Sequence, residues 1–238
     1  MSQSRYQGVE ALEVLASAKN YNAYILDEIL RHCDVDADVL DFGAGTGTFA
    51  YSLSGLVRTV SAVETDSQLL ANLRASAVVN AEPDVADFAS SFDLVYLVNV
   101  LEHIEDDSAA LVKIARSVSP SGLVMIYVPA SPLLFSNFDR AVGHYRRYTT
   151  RSLRAVAEKA GLAIVSVKYV DPLGWFVAML HKVLGRRPVL KNWQVQTFDR
   201  AVFPLSMRIE PLTREWFGKN IILVARPAHS GTAREEIG

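Results

Sequence analysis

Three glycines at alternate positions, Gly43, Gly45 and Gly47, directly follow a strand-like run at 39–42. The pattern predicts a buried strand that turns sharply into a helix. Turn geometry alone does not require three glycines, but glycine also lets a ligand approach the backbone where a Cβ would collide with it. Free N–H groups at the start of the next helix would point towards that ligand. The stretch therefore predicts a ligand-binding turn.

A second strand-like run, at 59–63, ends in Glu64, nineteen residues after Gly45. An acidic side chain about twenty residues beyond a glycine turn, at the tip of the neighbouring strand, can accept hydrogen bonds from both hydroxyls of a ribose. The turn and Glu64 together predict a nucleoside-binding crevice at the carboxyl ends of parallel strands.

The glycine spacing favours one class of nucleoside. Dinucleotide-binding folds use G-x-G-x-x-G, whereas this chain has D-x-G-x-G-x-G, beginning at Asp41. That form resembles the first motif of the class I S-adenosylmethionine (SAM) methyltransferases, whose loop wraps the amino-acid half of a single nucleoside. The resemblance covers roughly residues 20–170 and the last strand. It implies SAM as the cofactor and disfavours a nicotinamide oxidoreductase.

Further stretches carry the same resemblance. The apolar run 94–98 leads into Asn99-Val100-Leu101-Glu102-His103-Ile104, which resembles the fourth-strand motif of the family and implies that Asn99 lies beside the sulfonium. His103 would face the substrate pocket, with a helix-capping role as the alternative. Glu102 is expected to orient neighbouring loops.

The adenine end is less well defined. Asp84 falls where the family has an acid near the adenine amine, with Val85 against the ring, and Asp87 is the competing assignment. Tyr21 resembles an aromatic folded over the methionine portion, although packing between the first helices explains it equally well. The implied cofactor contacts are Tyr21, Asp41, Gly43, Ala44, Gly45, Thr46, Gly47, Glu64, Thr65, Asp84, Val85, Asn99 and Val100.

Composition narrows the partners. The 238 residues carry a net charge of −2, so no global positive field would recruit nucleic acid. Cys33 is the single cysteine and cannot form an internal disulfide, which fits a reducing cytoplasm. The first residues lack an apolar signal region. Acidic and histidine residues show no recognisable metal spacing, so we expect no metal.

Strand-like and helical segments alternate, which is typical of a doubly wound sheet. We predict a Rossmann-like α/β fold with seven strands, the last antiparallel. The third strand, near 78–79, is the weakest prediction. The expected units are an N-terminal helical cap (1–36), a SAM-binding domain (37–170 and 219–228), a helical lid insert (171–218) and a flexible tail (229–238).

Residues 135–149 follow the fifth strand and should reach the same crevice. They resemble the F-D-x-x-x-G-H-Y-R-R-Y-T segment of a bacterial methyltransferase subgroup. His144 could take a proton from an attacking hydroxyl, with His103 as the second candidate. The alternative is structural: an Arg147–Asp139 ion pair, with His144 capping the next helix. The expected substrate contacts are Phe138, Asp139, Tyr145, Arg146, Arg147, Tyr148 and Trp175.

The insert is open to three interpretations. Apolar residues share one helical face near 173–184, and basic residues follow at 186–187. A lid over the substrate is our first expectation; a homodimer surface and peripheral membrane contact through 173–187 are the alternatives.

The predicted activity is O-methylation of a hydroxyl on a small molecule such as a sugar or natural product. A lipid-linked or glycan acceptor, or a carboxylate, is the alternative within the same class. A SAM-binding module without turnover is the non-enzymatic alternative.

Overall fold

The computed structural model describes residues 16–88, 91–184 and 192–228. Seven strands form one sheet in the order β3-β2-β1-β4-β5-β7-β6. β7 runs antiparallel to both of its neighbours, and the pairings among β1 to β5 are parallel. The strands are β1 (Asp38–Phe42), β2 (Thr59–Val63), β3 (Asn80–Glu82), β4 (Phe92–Val98), β5 (Val118–Pro129), β6 (Leu162–Val170) and β7 (Asn220–Pro227). The predicted seven-stranded fold is confirmed.

Helices cover both faces of this sheet, and an apolar core lies between the sheet and the helices on each face. The α-helices are α1 (Lys19–Leu30), α2 (Thr48–Leu53), α3 (Ser67–Arg74), α4 (Asp107–Ser117), α5 (Asn137–Ala141), α6 (Thr150–Lys159), α7 (Pro172–Val183), α8 (Asn192–Thr197) and α9 (Phe203–Thr213). Short 3₁₀ turns lie at Val85–Asp87, Leu101–His103 and Pro132–Leu134, and a π-helical turn at Phe198–Val202 joins α8 to α9.

Local sequence signals explain where the elements begin. Asp66 caps α3 by accepting hydrogen bonds from the N–H groups of Gln68 and Leu69, and Thr149 caps α6 through Ser152 N–H, as short polar side chains do at helix N-termini. β4 is almost wholly buried, in keeping with its apolar run.

Two predicted boundaries moved. β3 lies at Asn80–Glu82 rather than near 78–79 and pairs with β2 alone, so its sequence lacks the apolar character of a central strand. The apolar run at 123–128 predicts that the fifth strand begins at 123, but β5 begins at Val118, because Val118 pairs with Phe92 across an irregularity in register.

Several predicted segments lie partly outside the described residues: the start of the N-terminal cap, the middle of the insert at 185–191 and the tail. Within the described residues, the insert between β6 and β7 is helical, as predicted. No helix in those ranges is both long and apolar enough to cross a membrane.

Candidate active site

A cavity of about 1570 Å³ lies over the carboxyl ends of β1, β2, β4 and β5. This is the edge of an open parallel sheet where ligands usually bind. The glycine turn and the end of β4 form one wall, and residues 134–147 and the insert form the other. The predicted crevice is therefore present and is covered partly by the insert.

The glycine turn is held by hydrogen bonds to the neighbouring strand. The N–H groups of Gly43 and Ala44 donate to the Val63 carbonyl at 2.8 and 3.0 Å. Gly43 has a φ of 82°, which disfavours side chains with a Cβ. A Cβ there would also lie 2.5 Å from Cγ2 of Val100. Gly43 therefore allows β1 and the residues after β4 to approach closely beneath the cavity.

Glu64 stands at the tip of β2, as predicted, and only 8% of it is exposed. One carboxylate oxygen accepts a hydrogen bond from Gly45 N–H at 2.8 Å, and the other accepts one from Asp66 N–H at 2.7 Å. A carboxylate has about four lone-pair positions. The two backbone contacts thus fix the side chain and leave acceptor capacity for a ligand.

Asp41 carries a buried oxygen, Oδ2, that has no hydrogen-bond partner within the described parts of the chain. Burial raises the pKa of this carboxyl to about 7, and the charge of Glu64 adds to that rise. The residue lines the cavity beneath the glycine turn. A cationic group bound in the cavity could supply the missing partner.

Tyr21 and Asn99 meet across the cavity. Asn99, at a φ of 54°, follows β4 and points its Nδ2 at the Tyr21 hydroxyl, 3.5 Å away. The Tyr21 ring packs edge-on against Tyr127 and Phe203, and the Asp199 carboxylate accepts from the Tyr21 N–H at 2.8 Å. Tyr21 therefore packs the N-terminal helix and also lines the cavity, and its contact with the methionine portion stays a prediction.

The predicted adenine contacts lie in a smaller recess of about 260 Å³. Asp84 and Val85 line it, and the recess shares Phe42, Val63 and Ile104 with the main cavity. Asp84 also caps the 3₁₀ turn through Ala86 N–H and pairs with Lys113 at 3.1 Å. Asp87 lines neither space, which favours Asp84 as the predicted contact.

Two histidines and a buried acid, His103, His144 and Glu102, meet on the side of the cavity away from the glycine turn, which we call the far wall. The rings of His103 and His144 lie edge-on with centroids 4.6 Å apart. Glu102 is completely buried, and neither of its carboxylate oxygens has a hydrogen-bond partner among the described residues. Burial raises the pKa of Glu102 to about 8. His103 is exposed to the cavity, but shielding from bulk water by the surrounding wall, together with the neighbouring His144, lowers its pKa to about 4.

Asp139 lies behind this wall and holds the side chains of His144 and Arg147 in place. Its Oδ1 lies 2.9 Å from His144 Nδ1 and accepts from Arg147 Nε at 2.7 Å. Burial alone would raise the pKa of Asp139, but the hydrogen bonds from His144 and Arg147 outweigh it and hold the pKa well below its usual range. An ionised carboxylate only accepts, so His144 carries its proton on Nδ1 and directs Nε2 away from Asp139.

The structure does not place all predicted substrate contacts in the cavity. Phe138 and Arg147 line it, whereas Asp139 lies behind them. The others have different environments and do not line it: Tyr145 is exposed, Arg146 pairs with Asp107, Tyr148 is buried and donates to Asp107, and Trp175 packs on Phe176 and Phe217. The predicted Arg147–Asp139 ion pair is present, but Thr149, not His144, caps α6.

Sequence reasoning missed Lys219. It lines the cavity just before β7, with Nζ 5.5 Å from the centroid of the Phe198 ring. Among the described residues no carboxylate lies within 4.0 Å of its ammonium, burial lowers its pKa, and the more distant charge of Asp171 partly opposes that fall. Backbone bonds to Asp171 and Ala130 fix its position. An isolated lysine far from any motif gives no sequence signal for this placement.

The insert contributes one side of the cavity, through Gly174, Val177, Ala178, His181 and Lys182 of α7 and Gln194, Val195, Phe198 and Asp199 further on. Near the same side, large apolar side chains are exposed: Leu133, Phe176, Leu180, Val183, Leu184 and Trp193. The insert is thus placed as a lid would be, with an apolar outer surface.

A glycine turn after β1, an acid at the tip of β2 and a deep cavity over both define a nucleoside-binding α/β protein. The family follows from comparison with known sequences: residues 14–167 match the methyltransferase domain family. That match covers well over half of the chain, so the chain belongs to this family. Membership of this family confirms the predicted cofactor, SAM.

A curated relative gives a narrower likeness. A ubiquinone biosynthesis O-methyltransferase of Thiobacillus denitrificans is 31% identical over 96 residues, which are 36% of this chain and 41% of that protein. The match therefore spans less than half of the relative's length.

Solved structures share the fold. The methyltransferase from the complex with the Trm112 methyltransferase activator of Haloferax volcanii has a TM-score of 0.66 at 14% identity, covering 97% of this chain and 98% of that one. A SAM-dependent methyltransferase of Mesorhizobium loti has a TM-score of 0.58 at 16% identity, covering 85% and 95%. At such identities the likeness shows the fold alone.

Proposed function

We propose that the protein transfers the methyl group of SAM to a hydroxyl oxygen of a small molecule. The observation that carries this proposal is the position of His144. Its Nδ1 is engaged by Asp139, and the residue lines the same cavity as the glycine turn. The O-methyltransferase likeness of residues in the matched region supports the same chemistry.

The cofactor contacts are proposed as follows. Glu64 holds the ribose hydroxyls, the Asp41 carboxylate accepts from the SAM ammonium, and the recess at Asp84 and Val85 takes the adenine. Asn99 and Tyr21 cover the methionine portion. The remaining proposed contacts are the turn residues Ala44, Gly45, Thr46 and Gly47 with Thr65 and Val100; all but Gly47, which precedes α2, line the cavity.

The sulfonium of SAM is already an activated leaving group, so the chain's main task is to align the acceptor oxygen with the methyl carbon. A neutral alcohol is a poor nucleophile, and a base in reach of it increases the rate. In the simplest form of the mechanism, the lone pair of His144 Nε2 takes the hydroxyl proton. Asp139 would stabilise the imidazolium that results, because its carboxylate remains ionised.

A carboxylate-bearing acceptor is the second candidate, and Lys219 is the observation that favours it. A half-buried ammonium with no carboxylate in direct contact is costly, and Lys219 has only the more distant charge of Asp171; an acidic group on the acceptor would neutralise it. A lipid-linked acceptor is a further form of the proposal, supported by the exposed apolar side chains beside the insert. In that form the segment 173–187 would contact a membrane surface.

The first experiment is calorimetric titration with S-adenosylhomocysteine, with NADH as the control ligand. Micromolar binding of the first alone is expected. Methyl transfer from labelled SAM to a panel of phenols, sugars and hydroxy acids follows, comparing wild type with His144→Ala and the control His32→Ala. The control residue does not line the cavity. Binding without turnover of any acceptor would favour the SAM-binding module.

A further inference from the structure

Glu102, His103 and His144 bring three candidate ligand atoms together, all within 4.8 Å of one another. They come from two segments, the 3₁₀ turn after β4 and the loop after α5. We propose that these three residues form a binding site for a divalent metal ion of the zinc or manganese type. The sequence led us to expect no metal, because Glu102 and His103 are adjacent but His144 lies in a separate segment of the chain.

Glu102 is the first reason. Its side chain is wholly buried, both carboxylate oxygens lack a hydrogen-bond partner among the described residues, and the residue lines the cavity. Buried polar groups are nearly always paired, and an unpaired buried carboxylate is strongly disfavoured. A cation beside Glu102 would give the carboxylate oxygens a partner and would also compensate their charge.

The spacing is the second reason. His144 Nε2 lies 3.9 Å from Glu102 Oε1, too far for a hydrogen bond. Zinc bonds to nitrogen and oxygen ligands are about 2.0–2.2 Å long, so two ligands of one ion lie at most about 4.4 Å apart. These two atoms lie within that limit, and the candidate ligand atom of His103, which lies within 4.8 Å of those of the other two residues, needs a small side-chain adjustment to share the ion.

The surroundings of His144 are the third reason. Metal-binding histidines usually donate their other ring N–H to a carboxylate, which fixes the tautomer. Here Nδ1 of His144 contacts Asp139 at 2.9 Å, and Arg147 holds the same carboxylate oxygen. This arrangement presents the lone pair of Nε2 to Glu102 and to the cavity.

The donor set indicates the kind of ion. Magnesium and calcium prefer oxygen ligands, whereas two imidazoles and a carboxylate suit zinc, manganese, iron or cobalt. His103 is exposed and lines the cavity. An ion held here would thus keep open positions on the side where an acceptor enters.

This inference rests on the proposed function for its consequence, because it changes how the hydroxyl is activated. The acceptor oxygen would bind the ion and release its proton to solvent. The resulting alkoxide would form the new C–O bond as the C–S bond breaks, with that electron pair remaining on sulfur. His144 would then serve as a ligand instead of a base.

The test is metal binding to the untagged full chain after removal of bound ions with a chelator. Calorimetric titration with ZnCl₂ and MnCl₂ should give one ion per chain at micromolar affinity, and MgCl₂ should bind far more weakly. Glu102→Gln and His103→Gln should each weaken zinc binding about tenfold or more. His181→Gln is the matched control and should bind as wild type does.

Cobalt substitution gives an independent readout, because the visible absorption of Co²⁺ reports nitrogen ligation and should be lost in His103→Gln. If Glu102→Gln does not fold, His103→Gln alone decides, since its side chain is exposed. Absence of zinc binding to wild type up to about 1 mM, or equal binding by His103→Gln, would overturn the inference. Failure of S-adenosylhomocysteine to bind would instead overturn the proposed function and leave the metal result intact.

Discussion

Glu64→Gln is the substitution that best separates a ribose-binding carboxylate from one that only supports the glycine turn. In the free protein each Glu64 oxygen accepts one backbone N–H, from Gly45 and Asp66, and keeps a second lone pair for a ribose hydroxyl. Glutamine retains the shape but replaces one acceptor oxygen with a donor. One hydroxyl contact is then lost, and one backbone N–H faces an amide N–H.

A hydrogen bond to a charged group contributes about 1.5–3 kcal/mol. Losing one such bond should weaken S-adenosylhomocysteine binding about 10- to 150-fold. Glu64→Ala loses both and should weaken binding about 10²- to 10⁴-fold on the same reasoning. The two substitutions therefore predict an ordered series rather than a single loss.

Calorimetry with purified variants measures this series, with thermal unfolding as a check that the fold persists. Glu158→Gln, on the exposed face of α6, is the control and should bind as wild type. The 2′-deoxy analogue of the ligand sharpens the test: wild type should discriminate against it, and Glu64→Gln should do so much less. An affinity of Glu64→Gln within about twofold of wild type would refute the ribose assignment, because the expected loss is at least about tenfold.

Three further predictions address the turn, the buried acid beneath it and the far wall. Gly43→Ala places a methyl group 2.5 Å from Val100 at a φ of 82°, so we expect destabilisation of about 1–3 kcal/mol in urea unfolding; a neutral result would contradict the packing argument. The pKa of Asp41 is about 7 in the fold against 3.8 ordinarily, so the stabilising contribution of its proton is present below pH 3.8 and is lost as the pH rises through 7. Asp41→Asn should therefore be more stable than wild type at pH 8, with little difference at pH 4, and should bind S-adenosylhomocysteine more weakly. An equal difference in melting temperature between variant and wild type at the two pH values would contradict this. In Asp139→Asn the loss of methyl-transfer rate, expressed as a free energy, should be at least as large as the loss in the free energy of unfolding, and S-adenosylhomocysteine affinity should be unchanged. A loss of that affinity would show that the two walls of the cavity are coupled.

The fold and the cofactor side of the site could be predicted because their signals are local. Gly43 must accommodate a positive φ, and Glu64 must end a strand, and both requirements are visible within a few residues of each position. β3 was misplaced because an edge strand of three residues makes too few contacts to impose an apolar pattern. The sequence therefore predicted the positions of the glycine turn and of Glu64 more reliably than the point where each strand begins.

The acceptor side resisted prediction because its contacts are non-local. The segment around His144 is rich in charged and aromatic residues, yet the structure uses Arg146 and Tyr148 to bind Asp107 and places only part of the segment against the cavity. Lys219 reaches the same cavity from the other end of the insert. Composition could not distinguish these roles, since each depends on which face of the loop turns inwards.

The two sides of the cavity also differ in how their charges are compensated, and this difference argues for where chemistry occurs. On the glycine-turn side, Glu64 is held by backbone N–H groups, so its carboxylate is compensated before any ligand binds. On the far wall, Glu102 has no hydrogen-bond partner among the described residues, and Lys219 is compensated only in part, by the Phe198 ring and the more distant charge of Asp171. Uncompensated groups oppose folding and are stabilised only when something binds beside them. The wall formed by Glu102, His103 and His144 is therefore where we expect the acceptor, and any ion that activates it, to contribute most of their binding energy.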